Sequence, residues 1–256
     1  MVEVINLYSH QCSNSRKLAK WILKFRAACD LSDTGTGKSF TALATANIIK
    51  ADNTVVICPA SIVPNWESIL KSYPMDMDIK VYSYESLRIN KLGIFGHDKS
   101  YRGSVKRVWN CDNKDFFIFD EAHRLKGLKS KISSIVSTIN CRCLFMSATL
   151  AQSPLEVKCI GKILDIFDGY SHYAWCLKNG CSRSSFGGLE FHGDGMSWAK
   201  GISRVSVRTS ISEINPDMPL NVINPFLIQV KQTKILGSLY SKYLELKQLK
   251  ESATTV

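Results

Sequence analysis

Residues 32–39, Ser-Asp-Thr-Gly-Thr-Gly-Lys-Ser, have the composition of a loop that wraps phosphate groups. Glycines let the backbone approach an anion closely, and amide groups at the start of a following helix point toward it. In such a loop Lys38 reaches the β- and γ-phosphates, and the Ser39 hydroxyl holds Mg²⁺. Ser32 stands where the usual pattern begins with glycine, and Gly-Lys-Ser also occurs by chance. The candidate nucleotide-binding residues are Thr34, Gly35, Thr36, Gly37, Lys38 and Ser39.

A second half of such a site follows the apolar run Phe-Phe-Ile-Phe at residues 116–119. Asp120, at the end of this predicted strand, is placed to hold Mg²⁺ directly or through water. Glu121 is then available to orient and deprotonate an attacking water. An Asp-Glu pair that caps a helix start is the alternative. Because a buried strand aims both carboxylates at the sheet edge where α/β proteins bind ligands, we favour an ATPase site with ATP and Mg²⁺.

Alternating strands and helices must position these two segments. Strand patterns occur at 27–33, 54–59, 78–84, 115–123 and 143–149, and helical patterns at 16–26, 39–50, 64–71, 129–139 and 235–250. This order predicts an α/β fold with a mostly parallel sheet covered by helices on both faces. Leu18, Trp21, Ile22 and Phe25 are expected on one side of the first helix. Residues 90–113 resemble an exposed excursion, and 168–200 show no clear period.

Composition narrows the class of protein. Hydrophobic residues make up 45% and charged residues 21% of the 256 residues, which is ordinary for a globular protein. No run of 18 apolar residues and no signal-peptide pattern occurs, so we expect no membrane segment and an intracellular location. The net charge of +11 favours a polyanionic partner such as nucleic acid, although a merely basic surface is the alternative.

The nine cysteines are scattered, and several lie in apolar runs, which is typical of core thiols in a reducing compartment such as the cytoplasm or nucleus. His172, Cys176, Cys181 and His192 are residue types that bind zinc. Their spacing matches no compact zinc pattern, so we interpret them as core and loop residues.

Asp-Glu-Ala-His at 120–123 and Ser-Ala-Thr at 147–149 resemble motifs of superfamily 2 helicases and translocases. Residues 58–70 and 120–127 are similar to the Snf2 branch, whose members are ATP-driven translocases on double-stranded DNA. Further positions occur in similar order in the annealing-helicase-like group of that branch: Phe167, Tyr173, Cys176, 186–195, Arg208 and 217–219. Ser-Ala-Thr-Leu stands where Snf2 proteins usually have Thr-Gly-Thr-Pro, which loosens the assignment to the branch.

The resemblance implies roles for particular residues. Residues 1–165 would be a RecA-like ATP-binding lobe, and 166–256 its Snf2-like extension. Gln11, in Leu-Tyr-Ser-His-Gln at 7–11, would contact the adenine edge. His123, Ser147 and Thr149 would couple hydrolysis to movement. Ser61 and Asn65, with Arg124 and Lys126 nearby, would contact the backbone of double-stranded DNA. For Asn65-Trp66 a helix cap followed by a core aromatic is an equally good interpretation.

The family has a second RecA-like lobe that supplies an arginine worth about 10³ to 10⁵ in rate. We expect that lobe to be missing here, in a longer chain or in trans, because no room remains for it after Val256. The chain would then be a fragment, a split gene product or half of a complex, of cellular, viral or phage origin. A non-hydrolysing nucleic-acid or partner-binding module and an RNA helicase lobe stay open as alternatives.

Overall fold

The computed structural model describes residues 7–72, 75, 77–91, 93–99, 105–127, 130–185, 187–193 and 197–214. The helix predicted at 235–250 and the motif at 217–219 lie outside these residues. The described residues belong to one compact unit, which extends to Met218.

A six-stranded sheet forms the centre of this unit. The strands, in chain order, are β1 Ala27–Asp30, β2 Asn53–Cys58, β3 Asp78–Ser83, β4 Phe95–Lys99, β5 Val105–Trp109, β6 Phe116–Asp120, β7 Arg142–Met146, β8 Cys181–Arg183, β9 Leu189–Phe191 and β10 Ser206–Val207. The sheet order is β10-β1-β7-β6-β2-β3, and every neighbouring pair in it is parallel. The strand pairs β4–β5 and β8–β9 form separate antiparallel ribbons. The predicted mostly parallel sheet is therefore confirmed.

Helices cover both faces of the sheet. They are α1 Ser9–Phe25, α2 Lys38–Ile49, α3 Val63–Ser72, α4 Tyr84–Arg88, α5 Lys131–Val136, α6 Lys158–Ile163, α7 His172–Lys178, α8 Lys200–Ser203 and α9 Ile211–Ile214. Alternate residues of β6 face opposite layers, since Phe116 belongs to the same core cluster as Leu18 of α1 and Leu43 of α2, whereas Phe117 belongs to the cluster of Ile135 of α5. A strand buried on both sides explains why 116–119 is apolar throughout.

Two expectations about local structure were wrong. Residues 90–113 are not simply an exposed excursion, because they contain the hairpin of β4 and β5, in which Phe95 and Trp109 are buried opposite each other. Their abundant polar residues masked a short strand pair that adds one aromatic side chain from each strand to the core. Phe25 was expected on the packed side of α1, but it is 48% exposed near the end of that helix.

Residues 168–200 contain α7 and the hairpin of β8 and β9, although their sequence shows no clear period. Trp175 of α7 and Trp198 join the same core cluster as Ile160 of α6, so the core continues past residue 165. The strand β10 also lies beyond that point and pairs with β1. The division into a lobe at 1–165 and an extension at 166–256 stays a prediction.

Cysteine placement agrees only in part with the sequence interpretation. Cys29, Cys58, Cys143, Cys159, Cys176 and Cys181 are free and buried, and Cys12 is free and half-buried. Cys111 and Cys141 are joined in a disulfide, which the sequence did not predict. Their segments lie far apart in sequence, so only folding brings them together. No helix in the described part of the chain is both long and apolar enough to cross a bilayer.

Candidate nucleotide-binding site

Three neighbouring strands end at the same level of the sheet. Asp30 at the end of β1 is in register with Met146 of β7, and Met146 is in register with Asp120 of β6. Two strand spacings separate β1 from β6, so the ends of these strands lie about 10 Å apart. The loop of residues 32–39, which follows β1, therefore shares one sheet edge with the acidic pair that follows β6.

The loop has the backbone geometry that phosphate binding requires. Gly35 and Gly37 have φ angles of 90° and 81°, which side chains other than hydrogen rarely allow. Gly37 caps the N-terminus of α2, and no side chain makes a cap hydrogen bond there. A Cβ at Gly37 would collide with the Gln11 side-chain amide. These features fit a phosphate chain bound against the start of α2.

Lys38 is held inside this loop. Its Nζ donates to the carbonyl oxygens of Ser32 at 2.9 Å and Asp33 at 3.0 Å. Burial raises the pKa of both the Asp30 and the Asp120 carboxyl, and the charge of Lys38 opposes this shift only in part. Lys38 Nζ is thus held within the loop, at the sheet edge that the loop shares with Asp120.

Three hydrogen bonds hold Asp120, two at its carboxylate and one at its backbone carbonyl. Trp66 Nε1 donates to Asp120 Oδ2 at 2.8 Å, and the Glu121 amide donates to Asp120 Oδ1 at 2.9 Å. The hydroxyl of Tyr84 donates to the Asp120 carbonyl oxygen at 3.0 Å. Each carboxylate oxygen keeps a lone pair beyond these bonds, which fits a water ligand of Mg²⁺.

Glu121 and the predicted coupling residues form a connected group. Glu121 has a φ of 50°, a left-handed conformation that is uncommon for glutamate and often occurs at functional sites. His123 Nδ1 lies 3.1 Å from Glu121 Oε2 and 3.3 Å from Ser147 Oγ. The Thr149 amide donates to Ser147 Oγ at 3.3 Å. The segments after β6 and β7 are therefore joined beside Glu121.

Gln11 contacts the glycine turn from α1. Its Oε1 accepts from the Tyr8 amide at 3.0 Å, and its Nε2 donates to the Thr36 carbonyl at 3.2 Å. His10 Nε2 lies 3.0 Å from the same carbonyl oxygen. Gln11 is buried, while the Tyr8 ring beside it is exposed. The structure thus places Gln11 against the glycine turn, and its contact with the adenine edge stays a prediction.

Sequence analysis missed several residues that support the loop. The Thr209 amide donates to Ser32 Oγ at 3.1 Å, and Asn14 Nδ2 donates to Thr209 Oγ1 at 2.9 Å. The Ile211 amide donates to Asp33 Oδ2 at 3.1 Å. The Ser32 hydroxyl therefore makes a hydrogen bond that glycine, the usual residue at this position, could not make. Thr209 is 177 positions from Ser32, and no local pattern signals that contact.

Asp30 was also missed. It is buried at the end of β1, and its Oδ1 accepts from the Ser32 amide at 3.0 Å. Asp30 could have been found from the sequence, because it is an acidic residue at the end of a short apolar run, directly before the glycine loop. Asp30 sets the start of the loop and adds a negative charge near Lys38.

The candidate nucleic-acid residues lie at the same end of the sheet but differ in exposure. Ser61, Asn65 and Arg124 are exposed. Lys126 Nζ is instead paired with Glu156 Oε2 at 3.2 Å, and both side chains are partly buried. Asn65 is the third residue of α3, which begins at Val63, so it is not the helix cap that was weighed as an alternative.

Two other features lie away from this site. A cleft of about 700 Å³ includes Phe25, Tyr170 and Lys178 in its wall and lies near the end of α1, before β1 begins. It is therefore at the sheet edge opposite the glycine loop. His172 Nε2 lies 3.3 Å from Cys176 Sγ, but no group of three metal-binding side chains occurs among the residues that the structure describes.

This sheet, with a glycine loop after β1 and an acidic pair after β6, defines a RecA-like P-loop nucleotide-binding lobe. Residues 5–152 match the family of the type III restriction enzyme res subunit. The match covers more than half of the chain, so the chain belongs to this family of helicase-type ATPases. Its fold is that of the N-terminal, Snf2-like lobe of a superfamily 2 helicase.

Two solved structures share this fold. The SWI2/SNF2 ATPase core of Sulfolobus solfataricus in complex with dsDNA has a TM-score of 0.58 and 19% identity, over 80% of this chain and 44% of that chain. The SWI2/SNF2 ATPase core domain of the same organism has a TM-score of 0.56 and 20% identity, over 86% of this chain and 47% of that chain.

A protein of Acanthamoeba polyphaga mimivirus, provisionally named an ATP-dependent RNA helicase, is 24% identical over 180 residues. That alignment covers 59% of this chain and 32% of the relative. This chain thus spans less than half of the proteins that it matches.

Proposed function

We propose that this chain is the ATP-binding first motor lobe of a Snf2-like, DNA-dependent ATPase that translocates on or remodels double-stranded DNA. The observation that carries the proposal is the shared sheet edge, because Asp30, which precedes the glycine loop, is in register with Met146, and Met146 is in register with Asp120. A phosphate chain on the glycine loop would then lie between the lysine and the acids. The membership of the chain in a helicase-type ATPase family supports the same chemistry.

The residues of the loop and the acidic pair would have separate roles in binding and hydrolysing ATP. Ser39 and Asp120 would hold Mg²⁺, which neutralises charge on the phosphate oxygens when it is bound. Lys38 would leave the Ser32 and Asp33 carbonyls for the phosphates. Glu121 would orient the attacking water and accept its proton, and His123 would hold Glu121 in place through the 3.1 Å contact.

A single lobe supplies only part of a helicase-type catalytic site. Lys38, Asp120 and Glu121 all belong to this lobe, whereas the family uses an arginine from a second RecA-like lobe. We therefore expect the lone chain to bind MgATP and hydrolyse it slowly. Turnover should rise by orders of magnitude when a second lobe is supplied, because an arginine finger contributes about 10³ to 10⁵ in rate.

Duplex DNA is the favoured polymer because one matched SWI2/SNF2 core was solved in complex with dsDNA. The net charge of +11 and the exposed Arg124 are compatible with contacts to phosphates. Such contacts depend on salt and are nearly blind to sequence. RNA is the second candidate, since the mimivirus relative carries the name of an RNA helicase.

Binding and hydrolysis measurements test this proposal. Affinity for matched DNA and RNA duplexes is measured between 50 and 200 mM salt, and Arg124→Ala is expected to reduce the salt slope by about 1. Lys24→Ala, on the exposed end of α1 at the other sheet edge, is the control and should leave the slope unchanged.

The DNA proposal predicts tighter binding to DNA and a stimulation of ATP hydrolysis by DNA once a second lobe is present. If RNA but not DNA stimulated ATP hydrolysis, the chain would be the lobe of an RNA helicase instead. A chain that binds MgATP but never hydrolyses it, with either polymer and a second lobe, would be a binding module instead.

A further inference from the structure

A hydrogen bond between side chains ties the end of β6 to the helix that follows β2. The indole Nε1 of Trp66 donates to Asp120 Oδ2 at 2.8 Å, and Trp66 is fully buried. Trp66 is the buried residue of α3, whereas Pro64, Asn65 and Glu67 beside it are exposed. The side chain that α3 buries in the core is therefore the same one that contacts Asp120, the candidate ligand of Mg²⁺.

This bond does more than give a buried indole an acceptor. A neutral acceptor is sufficient for that purpose, as Trp109 shows by donating to Thr138 Oγ1 at 3.0 Å. Trp66 instead uses an oxygen of Asp120, which the proposed magnesium site needs in a fixed orientation. Carboxylates that bind metals are commonly oriented by such outer hydrogen bonds, whose loss weakens metal binding by roughly 10- to 100-fold.

The same helix carries the surface proposed to contact nucleic acid. Asn65 is adjacent to Trp66 in the chain, and Ser61 lies in the short 3₁₀ turn that leads into α3. Val63, Ile69 and Leu70 are only partly buried against the core. A displacement of the start of α3 would thus move the Trp66 indole within the core, because Trp66 is the most buried of these side chains.

We propose that Trp66 is a positioning residue that links the exposed face of α3, with Ser61 and Asn65, to the orientation of Asp120 toward Mg²⁺. A duplex bound on that face would lower the Mg²⁺ concentration that ATP binding requires. The inference rests on the proposed function, because it assumes that both ligands bind to this chain.

The test compares Trp66→Phe with Trp109→Phe in the full chain. Both substitutions keep an aromatic ring and remove one buried indole donor, but only the first touches Asp120. Calorimetry gives the Mg²⁺ concentration at half-maximal ATP binding, with and without duplex DNA. For Trp66→Phe we expect that concentration to rise about tenfold or more and to stop responding to DNA. Trp109→Phe should behave as the wild type in both respects.

The possible failures can be told apart. Equal Mg²⁺ requirements for wild type and Trp66→Phe would overturn the role of Trp66 and leave the ATPase proposal standing. A wild-type requirement that bound duplex does not change would overturn the link to α3. Absence of MgATP binding by the wild type would refute the proposed function itself.

A spectroscopic measurement covers the case in which Trp66→Phe does not fold. The chain has five tryptophans, and ¹⁵N-tryptophan labelling gives one indole signal for each. The Trp66 signal, assigned with Trp66→Tyr or by assigning the other four, should shift both when Mg²⁺-ATP and when duplex DNA is added. A Trp66 signal that is indifferent to either ligand would contradict the proposal.

Discussion

Replacing Gly37 by alanine tests how the glycine turn and α1 depend on each other. Gly37 has a φ of 81°, and a Cβ built there meets the Gln11 amide, so the Gln11 side chain must move. In moving, Gln11 gives up its bonds to the Thr36 carbonyl and the Tyr8 amide. The substitution is therefore expected to damage both the turn and the contact with α1.

The size of the effect follows from these contacts. A left-handed conformation costs a residue with a Cβ about 1–2 kcal/mol. Each of the two Gln11 hydrogen bonds contributes about 1 kcal/mol, so Gly37→Ala should lower the free energy of unfolding by about 3–4 kcal/mol. Gly169 is a matched control, because its φ is 78° and no described heavy atom lies within 4 Å of a Cβ built there. Gly169→Ala should cost only the conformational part, about 1–2 kcal/mol.

Thermal unfolding of the two variants measures the difference. For a chain of this size the melting temperature falls about 2–4 °C per kcal/mol, so Gly37→Ala should melt roughly 4–8 °C below Gly169→Ala. Gly37→Ala should also lose MgATP affinity by calorimetry, while Gly169→Ala keeps it. Adding Gln11→Ala removes the colliding amide, and the cost of Gly37→Ala in that background should fall to that of the control. Equal melting temperatures for the two glycine variants would refute the reasoning.

Three further predictions concern charged groups of the site. Lys38→Ala should weaken MgATP binding at least about tenfold, because a hydrogen bond to a charged group contributes about 1.5–3 kcal/mol; unchanged affinity by calorimetry would remove Lys38 from its role. Glu121→Gln should leave MgATP affinity intact and reduce hydrolysis about 10²- to 10⁴-fold with a second lobe present, and full hydrolysis would show that Glu121 is not the base. Burial raises the pKa of Asp30 above its ordinary 3.8, so ionised Asp30 destabilises the fold at pH 7 and this cost disappears as the pH falls through its folded pKa. Asp30→Asn should then unfold at a higher temperature than wild type at pH 7 and lose that advantage toward pH 4; a constant difference would contradict the burial argument.

Much of the fold was predictable because its signals are local. An apolar run without polar alternation, such as 116–119, indicates a strand that is buried on both faces, and the structure has β6 there. The glycine-rich turn at 35–39 also requires a particular backbone, and the positive φ angles of Gly35 and Gly37 agree with it. The strand β4 escaped prediction because Phe95 is followed by glycine and polar residues, and a single aromatic gives no period.

The placement of the candidate site residues was predictable to a similar extent, whereas their chemical roles stay predictions. Lys38, Asp120 and Glu121 were selected by residue type, and the strand register brings their segments to one sheet edge. Their supporting partners were not predictable. Thr209 contacts Ser32 across 177 positions and Trp66 contacts Asp120 across 54, so both bonds depend on how strands are ordered in the sheet.

The sequence by itself determined which segments become strands, which turn suits phosphates and which acids end a buried strand, since those properties depend on neighbours along the chain. Only the tertiary structure decided that Lys126 is paired with Glu156 and that Asp120 is oriented by Trp66. Burial, pKa and hydrogen-bond partners depend on which elements pack together. That packing is a property of the whole fold, because each strand brings its own helices and loops to the shared edge.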